Sequence, residues 1–210
     1  GEWQPAVAPL HFDKPGMVGV GLGRAFALQY AKDHPEVIVG LVPCAAGGSA
    51  ISSWTPGGYH PQTKSHPYDD ALSRTKLAMQ DGVLQGILWH QGESDSGPGP
   101  SATYKSNLLE LIGRFRQELA APDVPVIIGQ LGRFPGKEWN EGRYLVDASH
   151  KEIPRLANHT QFVSSAGLVD KGDLTHFASD SARVFGQRYY QAFQWEQMTQ
   201  PTLTLAPSQQ

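Results

Sequence analysis

The chain has 210 residues, with 17 Lys+Arg against 20 Asp+Glu and a formal net charge of −3. That length suits one ordinary domain, and that charge gives no electrostatic footprint for nucleic acid or an anionic membrane surface. Cys44 is the only cysteine, which excludes an internal disulfide and a cysteine-based metal cluster, and no apolar run approaches the roughly 20 residues of a membrane span.

Hydrophobic residues at 40%, with 23 Gly and 16 Pro, describe a globular protein rich in structured loops. The opening Gly1-Glu2-Trp3-Gln4-Pro5 has no initiator Met and no signal-type pattern, so processing or a longer gene product is expected. Periodicity then predicts a helix over 19–32, entered through glycines, and a strand over 36–42. Small residues and turns follow. A helix is expected over 68–79, a strand over 84–89, a helix over 102–119 and a strand over 124–131. The order repeats with a helix over 141–153 that stops before Pro154, a strand over 160–166 and a closing helix over 179–195. Pro201 to Gln210 reads as a polar tail behind a single domain over 1–199. This alternation of four short strands with longer amphipathic runs is the pattern of βαβ units around a parallel sheet.

In open α/β sheets ligands sit at the carboxyl ends of the strands, and the unusual residues of this chain cluster in such loops. Asp173 and His176 stand three apart on one turn, close enough for the carboxylate to hold the imidazole as a general base; a helix cap followed by an unrelated histidine has the same spacing. Gly47-Gly48-Ser49 follows a predicted strand and offers bare amides to a developing oxyanion, or a turn that needs positive φ. His90-Gln91-Gly92-Glu93-Ser94-Asp95 sets an imidazole, an amide and carboxylates directly after an apolar strand, where polar groups are costly unless satisfied. His60 and His66 with Asp69 and Asp70 fit no zinc spacing and read as a surface loop. Trp3, Trp54, Tyr59 and Trp139 are candidates for a sugar-stacking platform or for core plugs. No P-loop is present, and Gly19-x-Gly21-x-Gly23 lacks both the spacing and the preceding strand of a dinucleotide site, which disfavours a phosphate-binding domain.

Three segments together resemble the SGNH hydrolases, within them the carbohydrate acetylesterases that include xylan acetylesterases and sialate O-acetylesterases. They are Gly40 through Trp54 (GLVPCAAGGSAISSW), Trp89-His90-Gln91-Gly92-Glu93-Ser94-Asp95, and Asp173-Leu174-Thr175-His176-Phe177. The resemblance runs from about Trp3 through the last helix. It implies a flavodoxin-like three-layer sandwich and a serine esterase that acts through an acyl-enzyme and requires no metal or other cofactor. His176 matches the histidine that activates the serine, and Glu93 or Asp173 the carboxylate that orients it. Gly47 and Gly48 match the segment that stabilises the oxyanion, and Gln91 is expected to buttress the site or donate to it.

The family's first block, a strand ending in Gly-Gln-Ser-Asn, occurs nowhere in the chain. The resemblance places that nucleophile-bearing strand at the centre of a five-stranded sheet, between the strands expected at 36–42 and 84–89. Three sources of a nucleophile follow: sequence preceding Gly1, a separate peptide or another copy acting in trans, or Ser49 in a rearranged site. The segment Pro43-Cys44-Ala45-x-Gly47-Gly48-Ser49 favours acetylated xylan or a related plant polysaccharide as substrate, with O-acetylated sialic acid second, and a location outside the cytoplasm suits either. A rival reading is an inactive carbohydrate-binding relative, which hydrolysis of a short ester would discriminate.

Overall fold

The computed structural model describes residues 2–199, so the expected polar tail lies outside the described residues. Three strands, β1 (Ile87–Trp89), β2 (Val126–Gly129) and β3 (Thr160–Val163), form a parallel sheet in the order β1-β2-β3. The register sets Ile87 beside Val126 and Val126 beside Thr160, and it ends with Gly129 beside Val163.

Strand alternation divides the core between two faces. Ile87, Trp89, Val126 and Ile128 pack with Tyr68, Tyr104, Leu108, Leu111 and Val146. These last five come from α2 (Pro67–Ala78), α3 (Pro100–Glu118) and α4 (Glu141–Glu152). Leu88, Ile127 and Val163 pack on the other face with Phe26 of α1 (Gly23–Asp33) and with Phe185, Tyr189 and Phe193 of α5 (Ser179–Thr199). The result is a three-layer α/β sandwich with helices on both faces of the sheet. No helix among the described residues is long and apolar enough to cross a membrane.

Local chemistry explains the boundaries. Pro67 and Pro100 occupy first helical positions, where their missing N–H is not needed, and the Asn140 side chain caps α4 by accepting Arg143 N–H at 2.8 Å. Along α5, Phe185, Tyr189 and Phe193 recur every four residues on one buried stripe. Gly186 lets α5 lie directly against the start of α1, since a Cβ there would stand 2.3 Å from the Leu22 carbonyl oxygen.

The strand expected over 36–42 is not formed, so the sheet has three strands among the described residues rather than four. Val37 is 44% exposed and Ile38 fully exposed, and no neighbouring strand accepts or donates along this segment. A strand is defined by its ladder, and β-branched composition cannot supply one without a partner. Among the described residues β1 pairs with β2 alone, which leaves its other edge open.

Candidate active site

The three loops singled out above are assembled at the carboxyl end of the sheet. Phe177, which follows His176, lies with its ring centroid 5.5 Å from that of His90 after β1, Ser94 of the same segment donates to the Gly48 oxygen at 2.8 Å and so joins the glycine loop, and the Phe134 ring after β2 stands 5.0 Å from Phe177. Phe185 of α5 packs against Phe177 from below, at 5.0 Å.

Within the last loop Asp173 folds around its own turn. One carboxylate oxygen accepts the backbone N–H of Thr175 at 3.0 Å and of His176 at 2.8 Å; the other lies 2.7 Å from His176 Nδ1. The His176 amide, then the imidazole, then the Thr175 amide hold the Asp173 carboxyl far below the usual carboxylate range. Leu174 takes a left-handed φ of 53° to let the turn close. The His176 side chain is 63% exposed, and its Nε2 bonds to none of the described residues.

Glu93 turns to a different histidine. Its Oε1 lies 3.7 Å from His90 Nε2, so the carboxylate bonded to His176 is that of Asp173. Gln91 is buttressed on all sides: Nε2 donates to the Ser49 carbonyl at 2.9 Å and to the Asp95 carboxylate at 2.5 Å, while Tyr104 Oη lies 3.0 Å from both its Oε1 and its backbone oxygen. Asp95, 1% exposed, also accepts Ile51 N–H at 3.0 Å, and burial pushes its carboxyl up against these donors. His150 completes the cluster with Nε2 2.9 Å from Tyr104 Oη; full burial lowers its imidazole to about 3.

The two glycines differ. Gly47 N–H already donates to the Asp13 carboxylate at 2.7 Å, and His60 Nε2 lies 3.2 Å from the Gly47 oxygen. Gly48 sits at φ +80° with its oxygen accepting Ser94 Oγ–H at 2.8 Å, and its N–H donates to no described residue. Ser49 is 3% exposed and its Oγ accepts the indole N–H of Trp54 at 2.9 Å, a structural bond and not the surroundings of a nucleophile.

The four aromatic candidates form no common platform. Trp54 is a core plug set edge-on to Trp89, Trp3 lies over Gly40 and bonds Asp81, Tyr59 faces His66, and Trp139 meets Arg133 and Tyr144. The histidine loop is knitted to backbone, with His66 Nδ1 3.1 Å from the Gly58 oxygen and Asp69 accepting Gly57 N–H at 2.9 Å. Sequence reasoning missed Tyr104 and His150. The available signal was a polar ring placed on the inner face of each helix, where only a satisfied or functional group is tolerated.

A family model described as carbohydrate esterase, sialic acid-specific acetylesterase, matches residues 1–195. The Arabidopsis thaliana protein named "Probable carbohydrate esterase At4g34215" is 32% identical over 197 residues, which cover 91% of this chain and 70% of that one. Its crystal structure aligns with a TM-score of 0.80 at 30% identity, covering 92% of this chain and 77% of the other. "Probable 9-O-acetyl-N-acetylneuraminic acid deacetylase" of Escherichia coli K12 is 27% identical over 128 residues, 54% of this chain and 39% of that protein. A carbohydrate acetylesterase of Xanthomonas citri shares the fold, with a TM-score of 0.63 at 22% identity over 81% of this chain and 40% of its own. With the family model matching residues 1–195 and a relative 32% identical over 91% of the chain, the chain belongs to the carbohydrate esterase, sialic acid-specific acetylesterase family.

Proposed function

We propose that the protein hydrolyses O-acetyl esters of carbohydrates through a serine acyl-enzyme. The observation that carries this reading is the Asp173–His176 pair, with Nδ1 engaged at 2.7 Å and Nε2 left open on an exposed side chain. An imidazole held in this way accepts a proton at Nε2 from an attacking hydroxyl and returns it to the departing sugar oxygen. Water then repeats the sequence on the acetyl-enzyme and releases acetate. Gly48 N–H is the donor free to meet the oxyanion, and Gly47 reaches that role only if it shares its proton with Asp13. Gln91 positions the glycine loop through Ser49, and Glu93 acts on the site through His90.

The nucleophilic serine belongs, in this reading, on an extended segment added beside the open edge of β1, supplied by preceding sequence, a separate peptide or another copy. Backbone groups on that edge support such an addition, since unpaired edges are templates for a further strand. Acetylated plant polysaccharide of the xylan type is the first substrate class proposed, from the Pro43 to Ser49 segment, and O-acetylated sialic acid, which the family description names, is the second. The test is acetate release from both substrates by the protein carrying its serine segment, with mapping of a fluorophosphonate adduct. Release that is abolished together with adduct formation supports the reading. No release and no adduct would leave a carbohydrate-binding relative.

A further inference from the structure

Gly47 and Gly48 are glycines for different reasons. Gly48 takes a φ of +80°, which disfavours any side chain, whereas Gly47 lies outside the left-handed region. At Gly47 the constraint is space: a Cβ there would stand 3.1 Å from Asp13 Oδ2 and 3.6 Å from both Cδ and Nζ of Lys14. A Cβ on Gly48 would stand 3.1 Å from Gln62 Oε1 and 3.4 Å from the same Lys14 Nζ. The Lys14 side chain therefore runs across Gly47 and ends over Gly48, whose N–H is the donor assigned above to the oxyanion.

That ammonium is held at both ends of its residue. The Lys14 oxygen accepts the N–H groups of Met17 at 2.8 Å and Val18 at 3.0 Å, which fixes the backbone, and Nζ donates to Gln62 Oε1 at 2.7 Å. Gln62 stands on a loop closed by His60 and Ser65, whose backbones exchange bonds at 2.9 and 3.4 Å. His60 Nε2 lies 3.2 Å from the Gly47 oxygen, so the same loop grips the glycine peptide from its other side. Lys14 is partly buried, forms no ion pair among the described residues, and spends one of its three donors on a neutral amide. The nearby Asp13 carboxylate is spent on the Gly47 N–H, and without Lys14 it would turn a negative charge toward an incoming oxyanion. A preorganised cation with donors to spare, set beside an amide that also has no acceptor, is the arrangement that stabilises developing negative charge.

We propose that Lys14 is a catalytic residue of this site, setting its positive charge against the tetrahedral oxyanion alongside the Gly48 N–H. Its catalytic role rests on the acetylesterase reading; its affinity for an anion does not. As the serine oxygen bonds to the acetyl carbon, the carbonyl π pair moves onto its oxygen. That oxygen stays negative until the pair returns and the sugar oxygen departs with the proton from His176. A fixed ammonium interacts with the oxygen most strongly at that stage, so it lowers the barrier and leaves substrate affinity nearly unchanged.

In the protein carrying its serine segment, Lys14→Met should lower kcat and kcat/KM for 4-nitrophenyl acetate together, by about tenfold or more, with KM within about twofold of the parent's. The ester is uncharged, so attraction of an anionic substrate does not enter. Lys14→Arg should recover part of the loss, because it restores the charge on a different stem. The parent's advantage over Lys14→Met should shrink as sodium chloride is raised, which a loss of packing would not do. Melting temperatures matching the parent's show an intact fold; a Met variant that melts lower is replaced by Lys14→Gln, which keeps a polar end without the charge. An independent readout is the NMR signal of the Gly48 amide. Sodium acetate should displace it in the parent and several-fold less in Lys14→Met, while neutral acetamide moves both alike. Parental kcat in Lys14→Met, or an acetate response indifferent to Lys14, overturns the proposal. A Lys14-dependent acetate response in a protein that hydrolyses no acetyl ester sustains the anion site and overturns the esterase reading instead.

Discussion

Asp173 holds His176 at two points, with one oxygen 2.8 Å from its backbone nitrogen and the other 2.7 Å from Nδ1. The ring is thereby fixed by a carboxylate whose own position is set by the turn that carries the histidine. Glu93, the other candidate for that partner, meets His90 instead.

In the protein carrying its serine, His176→Ala should lower kcat for an acetyl ester by about three to six orders of magnitude, the range for loss of a member of such a unit. Asp173→Asn should approach the same loss, and Glu93→Gln should cost clearly less. Steady-state kinetics on the three variants checks the order. A Glu93 variant as crippled as the histidine variant, beside a mild Asp173 variant, would reassign the partner.

The His176 amide foremost, then the His176 imidazole and the Thr175 amide, stabilise the Asp173 carboxylate, so its folded pKa is depressed. Such a group contributes stability that is complete above its unfolded pKa and is lost only as pH falls through the lower folded value. Asp173 therefore stays ionised at about pH 4, where ordinary aspartates titrate. Carbon-13 NMR of its carboxyl should show a flat signal through that range. A midpoint near that of a model aspartate would contradict the hydrogen bonding described above.

The parts of this site that spacing can encode were legible, and they were also ambiguous. His90 with Glu93 and Asp173 with His176 are both histidine–carboxylate pairs three residues apart, so local spacing offers two equivalent pairs and only the fold shows which histidine meets which acid. The stripe on α5 and the apolar run at β2 were readable because a buried face imposes its own period. The segment over 36–42 has strand composition but lacks a neighbour, and a neighbour is not a property of seven residues. Capture of the Gly47 amide by Asp13 joins positions 34 apart, and the stacking of Arg133 on Trp139 depends on a turn between them.

The last residue of β2, Gly129, has no room for a side chain: an added Cβ would lie 1.9 Å from Tyr189 Oη and 3.0 Å from the Phe185 ring. Tyr189, fully buried, donates from that hydroxyl to the Trp89 oxygen at 2.7 Å and so ties α5 to the end of β1, where the Gln91 loop begins. Gly129→Ala should displace this hydroxyl and leave the bond broken, at a cost of about 2–4 kcal/mol from overpacking and an unsatisfied buried group. Chemical denaturation checks it, with Gly113→Ala, where nothing lies within 4 Å of the added methyl, as the tolerated comparison. Equal midpoints for the two variants would refute the packing argument.

His150 makes stability depend on pH with a definite sign. Its Nε2 faces Tyr104 Oη at 2.9 Å, its Nδ1 is buried without a partner, and burial foremost lowers its pKa to about 3. The unfolded chain binds a proton there near pH 6.5, as an ordinary histidine does. Between those two values the unfolded state holds more protons, so stability present at neutral pH declines as the solution is acidified. The contribution is on the order of a few kcal/mol at full extent. His11, also depressed by burial, acts in the same direction, whereas the raised Asp95 acts in the opposite one, so the parent protein alone does not isolate the effect. His150→Gln removes the titration and retains an amide that can donate to Tyr104. Its urea midpoint should fall less than the parent's between about pH 7 and about pH 5, although its midpoint at neutral pH is the lower of the two. Parallel pH profiles would show that His150 does not enter the folded state as a neutral ring.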